Sequence, residues 1–278
     1  IEFEVTCDIL RETKVTWRSK ITASRNWNRF EKSYSGKDED SFIIGKPLFN
    51  IYLYKDNGYY NSQDEVPVYY QADGSKKYLM PMFETQYFTS GDPKVMDVNG
   101  DGKVDVFDKS PIGGTKDPEI VYGFGLNMKY KNLDFGALFQ GIGRSWNILG
   151  SSIIPGANRG VTGNMFTNAN DRWTVDNPSQ NVFYPRLDDG INSNNNQPST
   201  WWLRNMSFLR LKNIELGYSL PKNLWRNTTV ISGIRLFVRG TNLLTFSKFD
   251  LWDPEVENTT GAAYPIMKSL SAGFEIKF

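Results

Sequence analysis

Histidine is missing altogether from the 278 residues, and cysteine occurs once, as Cys7. The first absence removes Ser-His-Asp and Cys-His catalysis, and His-ligated metal centres with them. The second removes any intrachain disulfide and any Cys-rich zinc site. Neither sign of charge is in excess: 32 Lys and Arg stand against 31 Asp and Glu. That takes away the basic surplus by which a nucleic-acid binder is recognised. No apolar run approaches the roughly 18 residues of a membrane helix, and mean hydropathy is −0.48. A helical membrane protein is excluded; a membrane β-barrel is not, because its signal is alternation and not bulk hydrophobicity. An initial Met and a signal peptide are also missing. The chain opens Ile1-Glu2-Phe3-Glu4, already inside a strand-like pattern, which reads as a processed or partial chain.

What is there is aromatic and glycine-rich: 14% Phe, Trp and Tyr, with 24 Gly. That composition without long helical periodicity points to an all-β architecture. Ile1, Phe3, Val5, Cys7 and Ile9 alternate with Glu2, Glu4, Thr6 and Asp8. After the polar break Arg11-Glu12-Thr13, the set Val15, Trp17, Ser19, Ile21 and Ala23 alternates with Thr16, Arg18, Lys20, Thr22 and Ser24. Period 2 makes these two strands. Alternation returns at Ile120–Tyr130, turns at Lys131-Asn132, and continues with Leu133, Phe135, Ala137 and Phe139 against Asp134, Gly136, Leu138 and Gln140. In Phe208–Leu220 the apolar set changes phase, from Leu209 and Leu211 to Ile214, Leu216, Tyr218 and Leu220. A one-residue slip flips every side chain, so a β-bulge is predicted near Lys212-Asn213. Ile234, Leu236 and Val238 oppose Arg235, Phe237 and Arg239 in a sixth strand. A seventh sets Leu270, Ala272, Phe274, Ile276 and Phe278 against Ser269, Ser271, Gly273, Glu275 and Lys277.

Two long stretches interrupt this pattern. Residues 27–119 carry turn chemistry throughout, with Asn57-Gly58, Asp73-Gly74, Asn99-Gly100 and Asp101-Gly102. Residues 143–200 are rich in Asn, Ser, Gly and Pro. Short turns alternating with long loops are the layout of an outer-membrane barrel. Alternation alone leaves a soluble β-sandwich open. The aromatic apolar faces, the loop lengths and the terminal Phe278 favour an antiparallel transmembrane β-barrel.

The sharpest chemical motif is acidic. Asp97, Asn99, Asp101, Gly102, Asp105 and Asp108 fall at positions 1, 3, 5, 6, 9 and 12 of an EF-hand-type loop, with Lys103 offering its carbonyl at position 7. Oxygens on alternate residues wrap a hard cation, and Gly102 permits the sharp turn. Position 12 is Asp and not Glu, and no amphipathic helix flanks the loop. The expectation is a structural Ca²⁺ site, with a solvated acidic turn as the alternative.

Other features read more plainly. Gly123, Gly125, Gly136, Gly141 and Gly143 lack the strand–helix setting of a nucleotide loop and read as small residues on a barrel's inner face. Arg18, Lys20, Lys129, Arg235, Arg239, Glu275 and Lys277 lie on the expected lumen faces, since charges avoid lipid. Trp201 and Trp202, near a strand start, read as interfacial belt anchors; Trp146, Trp173, Tyr59 and Tyr60 read as loop packing. The adjacent Asp188-Asp189 lacks the facing geometry of glycosidase carboxylates. Sequons stand at Asn205, Asn227 and Asn258 and carry no weight in this reading. No catalytic constellation emerges.

Six motifs then occur in order. They are Gly45-Lys46-Pro47 with Tyr52 to Gly58; Gly91-Asp92-Pro93 leading into Asp97 to Gly102; Pro118 to Gly141; Arg172-Trp173-Thr174 with Tyr184-Pro185-Arg186-Leu187; Phe208 to Asn213 with Leu216-Gly217-Tyr218; and Asn242-Leu243-Leu244-Thr245 with Asp253-Pro254-Glu255-Val256. Together the chain resembles the C-terminal part of SusC/RagA-type TonB-dependent outer-membrane transporters of Bacteroidota. The resemblance implies the last strands of a plugged barrel of about twenty-two strands, with the plug, the TonB-contacting segment and the upstream strands lying outside this sequence. It implies import of oligosaccharides or peptides beside a SusD-like surface lipoprotein, energised by TonB-ExbB-ExbD, in outer-membrane lipid. A terminal aromatic such as Phe278 also resembles the signal read by the barrel-insertion machinery. Two other readings remain open: a SusC-like barrel serving as a structural subunit of a larger outer-membrane machine, and a soluble Ca²⁺-binding, glycan-binding β-sandwich.

Overall fold

The computed structural model describes residues 1–12, 14–32, 44–66, 68–70, 72–74, 76–78, 88–150, 167–187, 194–225, 230–256 and 258–278. Asp188-Asp189 and the Asn227 sequon lie outside the described residues. Seven long strands form one antiparallel sheet: β1 (Glu2–Arg11), β2 (Val15–Arg25), β3 (Ile120–Tyr130), β4 (Leu133–Gly143), β5 (Phe208–Ser219), β6 (Gly233–Ser247) and β7 (Ser269–Lys277). Their order across the sheet is their order in the chain, so the sheet is a meander. The links β1–β2, β3–β4 and β5–β6 are the shorter ones, and those after β2, β4 and β6 are long. Tyr130 pairs with Leu133 across the β3–β4 turn, and Lys131 takes a left-handed φ of 53° to close it.

Alternation sets the two faces. Ile21, Phe124 and Phe139 stand side by side through register pairs, and the two Phe rings stack with centroids 4.5 Å apart. Leu216 pairs with Val238 and Leu236 with Phe274 on the same side. Across these pairs the apolar side chains remain open: Leu216 is 53% exposed and Phe274 70%. A soluble sandwich would bury such a face under a second sheet, and among the described residues no second sheet lies on it. The wall therefore has the inverted pattern of a membrane barrel.

The bulge falls where the phase change placed it. Leu211 pairs with Phe139 and Leu244, whereas Asn213 pairs with Leu138 and Thr241, leaving Lys212 as the extra residue. A second bulge was not foreseen. Asp8 opposes Arg18 but Leu10 opposes Trp17, so Ile9 is stepped over and the expected five-member face of β1 ends at Cys7.

The buried apolar core lies in the long connections. Four small antiparallel pairs organise them: Asn50–Leu53 with Ser110–Thr115, Asp56–Tyr59 with Pro93–Val95, Val68–Tyr70 with Lys76–Tyr78, and Trp146–Ile148 with Leu203–Asn205. Residues 27–119 are thus not turn chemistry throughout, and the second loop layer runs past residue 200 to meet β5. One core cluster joins Tyr54, Tyr60, Val66, Phe88 and Val104; another joins Leu149, Tyr184, Trp202, Met206 and Phe249. Trp202 is buried there and donates its indole N–H to the Asn195 carbonyl at 2.8 Å. Trp201 packs on Tyr59 at 4.3 Å and donates to the Phe183 carbonyl. Neither is an interfacial anchor: their partners come from distant parts of the chain, which proximity to a strand start does not reveal.

Candidate functional site

The concave side of the sheet is polar and charged. Asp8, Arg18, Lys20, Asn127, Glu215 and Arg239 line a groove of about 1230 Å³ along it. Neighbouring strands place opposite charges in register. Arg18 donates to Asp8 at 2.6 Å and Lys20 to Glu4 at 2.9 Å. Glu215 on β5 takes Arg235 at 2.5 Å and Arg239 at 2.6 Å from β6. Arg235 also reaches two strands across to Asp134 on β4. It can do so because Gly217 lies between: a Cβ there would collide with the guanidinium. Arg235 and Arg239 sit over the Phe237 ring at 5.5 and 5.4 Å, and Gly273 leaves that ring its space. Of the lumen-facing residues read from alternation, Arg18, Lys20, Arg235 and Arg239 are thus brought into a ladder of cross-strand ion pairs; Lys129 lines the groove, and Glu275, opposite Arg235 in register, lies 3.6 Å from Lys277 of its own strand. Half-exposed pairs contribute little stability each. Their role is to keep the concave face wetted and polar.

The loop layer is tied to this wall by buried charge. Arg210, 1% exposed, projects from β5 to Asp253, while Lys212, freed by the bulge, reaches Glu255 at 2.8 Å. In the other layer Arg186 Nε donates to the fully buried Asp92 at 2.8 Å, and Arg186 N donates to the Gly91 carbonyl at 3.1 Å. Gly91 has a φ of +86°, and a Cβ there would meet the Trp173 ring and come within 2.8 Å of Arg186 Cβ. So motifs that are separate in sequence are halves of one clip. Opposite charges in Gly91-Asp92-Pro93 and Tyr184-Pro185-Arg186 were the available signal, and sequence reasoning did not pair them.

A small polar recess lies among Asp56, Asp171, Phe183, Thr200, Trp201 and Arg204. Arg204 donates to the Trp201 and Leu203 carbonyls and sits 5.1 Å over the Phe183 ring. Burial holds its guanidinium below the usual value. Beside it, burial and then the Asp56 charge push the Tyr59 phenol well up. Lys94, 2.5 Å from Glu65, holds that carboxyl below the usual range.

The acidic loop coils on its own backbone. Asp97 accepts from Gly100 N at 2.6 Å and Gly102 N at 2.8 Å, Asn99 from Asp101 N, Asp101 from Lys103 N, and Asp105 from Phe107 N. Asp108 is fully buried, with Oδ1 taking Val98 N and Asn99 N and Oδ2 taking Asp105 N. Asp105 and Asp108 form a capping box on the turn Val106–Asp108. Among the described residues no group of three or more His, Cys, Asp or Glu side chains is arranged as a formed metal cage.

No family model matches the chain. Among curated proteins it is 26% identical, over its whole length, to TonB-dependent receptor P26 of Formosa agariphila, and 25% identical to TonB-dependent receptor SusC of Bacteroides thetaiotaomicron. It spans 28% and 26% of those relatives, little more than a quarter of their length. Among solved structures, the RagAB peptide transporter superposes with a TM-score of 0.72 at 24% identity, over all of this chain and 29% of that one. The RagAB peptide importer in its open-open state gives 0.71. The structural likeness speaks for the fold: a partial antiparallel barrel. The sequence likeness to SusC-type TonB-dependent receptors runs from end to end of the chain, and its partial barrel has the fold of the matching part of RagAB.

Proposed function

We propose that this chain is part of the wall, and of the outward loop layer, of an importer that moves oligosaccharides or peptides across the outer membrane. The observation that carries this reading is the two-faced sheet, with an apolar side left bare and an opposite side laddered with ion pairs around a wide groove. Such a wall bounds a hydrated path through lipid. The long connections, packed as a layer at one end of the wall, serve as the docking face for a SusD-like surface lipoprotein. Energy enters through TonB-ExbB-ExbD acting on parts of the receptor outside this chain. The names of the relatives, TonB-dependent receptor and RagAB peptide transporter, support the same class of activity.

The test is uptake together with purification. Cells lacking the receptor are expected to lose uptake of one oligosaccharide or peptide pool, as are wild-type cells treated with a protonophore. The receptor extracted in mild detergent is expected to bring down a surface lipoprotein in equal amount. Unchanged uptake in the deletion strain, with a receptor that purifies inside a larger assembly, would instead assign it a scaffold role.

A further inference from the structure

We propose that the recess beside Trp201 is a subsite for a neutral saccharide. The inference deepens the import reading, on which it rests, by naming the substrate class. The recess measures about 480 Å³ and gathers Asp56 from the connection after β2, Asp171 and Asn181 from that after β4, and Trp201 and Arg204 from the approach to β5. Its side-chain groups are mostly unengaged. The Asp171 carboxylate and the Asn181 carboxamide are exposed and make no hydrogen bond among the described residues. Arg204, half-buried, places Nη1 on the Trp201 and Leu203 carbonyls and forms no ion pair among those residues. Its Nε and Nη2 call for an acceptor. Asp56 takes the Thr200 hydroxyl on Oδ1 and keeps Oδ2.

The backbone around the recess is already engaged. Asp56 N donates to Thr200 Oγ1, Tyr59 N donates to Gln180 Oε1, and the Tyr59 carbonyl accepts from Gln180 Nε2. The Phe183 carbonyl takes the Trp201 indole N–H. A peptide recognised through its main chain needs a free strand edge, and none of these groups offers one. A saccharide needs the other set. Planar Asp, Asn and Arg groups bind neighbouring hydroxyls in pairs, since each hydroxyl both donates and accepts. An aromatic face takes the C–H side of a sugar ring. Trp201, packed on Tyr59 at 4.3 Å, and Phe183 supply aromatic surface. Charge then selects among saccharides. Two carboxylates line the recess against one guanidinium, so a uronate or sulfated unit is repelled and a neutral one is not.

The intact receptor in mild detergent, probed on an array of neutral oligosaccharides, acidic oligosaccharides and peptides, is expected to hold neutral oligosaccharides. Calorimetry with the one held best then reads the subsite. Asp171→Ala combined with Asn181→Ala removes two side chains that hold nothing else among the described residues. Resistance of the loop layer to proteolysis should therefore stay unchanged. Affinity should fall by about tenfold or more, as expected for two lost hydrogen bonds, one of them to a charged group. In cells the double variant should need more saccharide for half-maximal uptake, at an unchanged maximal rate. An array that holds only acidic saccharides, only peptides or nothing overturns the subsite, as does an affinity that the double variant leaves unchanged. The import reading fails separately, through unchanged uptake in the deletion strain, and saccharide binding in detergent is still read in that case.

Discussion

Arg186 and Asp92, ninety-four residues apart in sequence, meet at 2.8 Å with the carboxylate fully buried. The contact joins the long connections that follow β2 and β4. With the Gly91 carbonyl on Arg186 N and the Trp173 ring over Gly91, it forms a three-part clip.

Arg186→Met leaves Asp92 buried without its main charge partner. Breaking such a pair costs about 3–5 kcal/mol. The loss is expected in the loop layer alone: limited proteolysis should cut the connections much faster, while resistance of the barrel to unheated detergent stays unchanged. Unaltered proteolysis would show that the clip is not what holds the layers together.

Gly91→Ala attacks the same clip through the backbone. At φ +86° any Cβ is strained, and here it also collides with Trp173 and Arg186. The strain alone is about 1–3 kcal/mol. Gly100→Ala, at φ +76° with open space around it, is the control: it bears the strain without the collision. Loop-layer melting should fall further for Gly91→Ala.

Tyr60 gives a pH dependence. Burial first, then the Asp92 and Glu65 charges, push its phenol from 10.0 up to about 12. The unfolded chain ionises this group near pH 10, while the folded one keeps it neutral until near 12. Its contribution is therefore whole below pH 10 and is lost as pH climbs from about 10 to about 12. Tyr60→Phe should flatten that part of the stability profile. Tyrosinate absorbance should show the Tyr60 step delayed in the folded receptor.

The two faces of the wall should respond oppositely to charge. Leu216→Arg on the bare apolar face is expected to cost about 2–4 kcal/mol if it lies near the bilayer midplane. Leu138→Gln, on the concave face between Gly125 and Asn213, should insert normally. The folded fraction recovered from outer membranes measures both.

How far these features were legible depended on the range of the interactions behind them. The seven strands and the Lys212 bulge could be read because a period of two is local, and because Leu211 to Ile214 switches phase visibly. The Ile9 bulge could not, since Ile9 and Leu10 are both apolar and the slip leaves no gap in the pattern. The acidic loop could be read because its groups are contiguous. Trp201 and Trp202 were misassigned because an aromatic beside a strand looks the same whether it meets lipid or Tyr59 and Tyr184. The clip and the Arg210–Asp253 pair were hidden in the same way: each joins residues far apart in the chain, and nothing periodic marks them.

The central claim is that β3 and its neighbours form a wall with lipid on one side and water on the other. Spin labels placed singly at Phe124, Gly125, Leu126, Asn127 and Met128, in a receptor freed of native cysteines and reconstituted in lipid, test it most directly. The expected result is alternation, with oxygen reaching positions 124, 126 and 128 and an aqueous nickel complex reaching 125 and 127. Equal aqueous access at all five positions would contradict the claim.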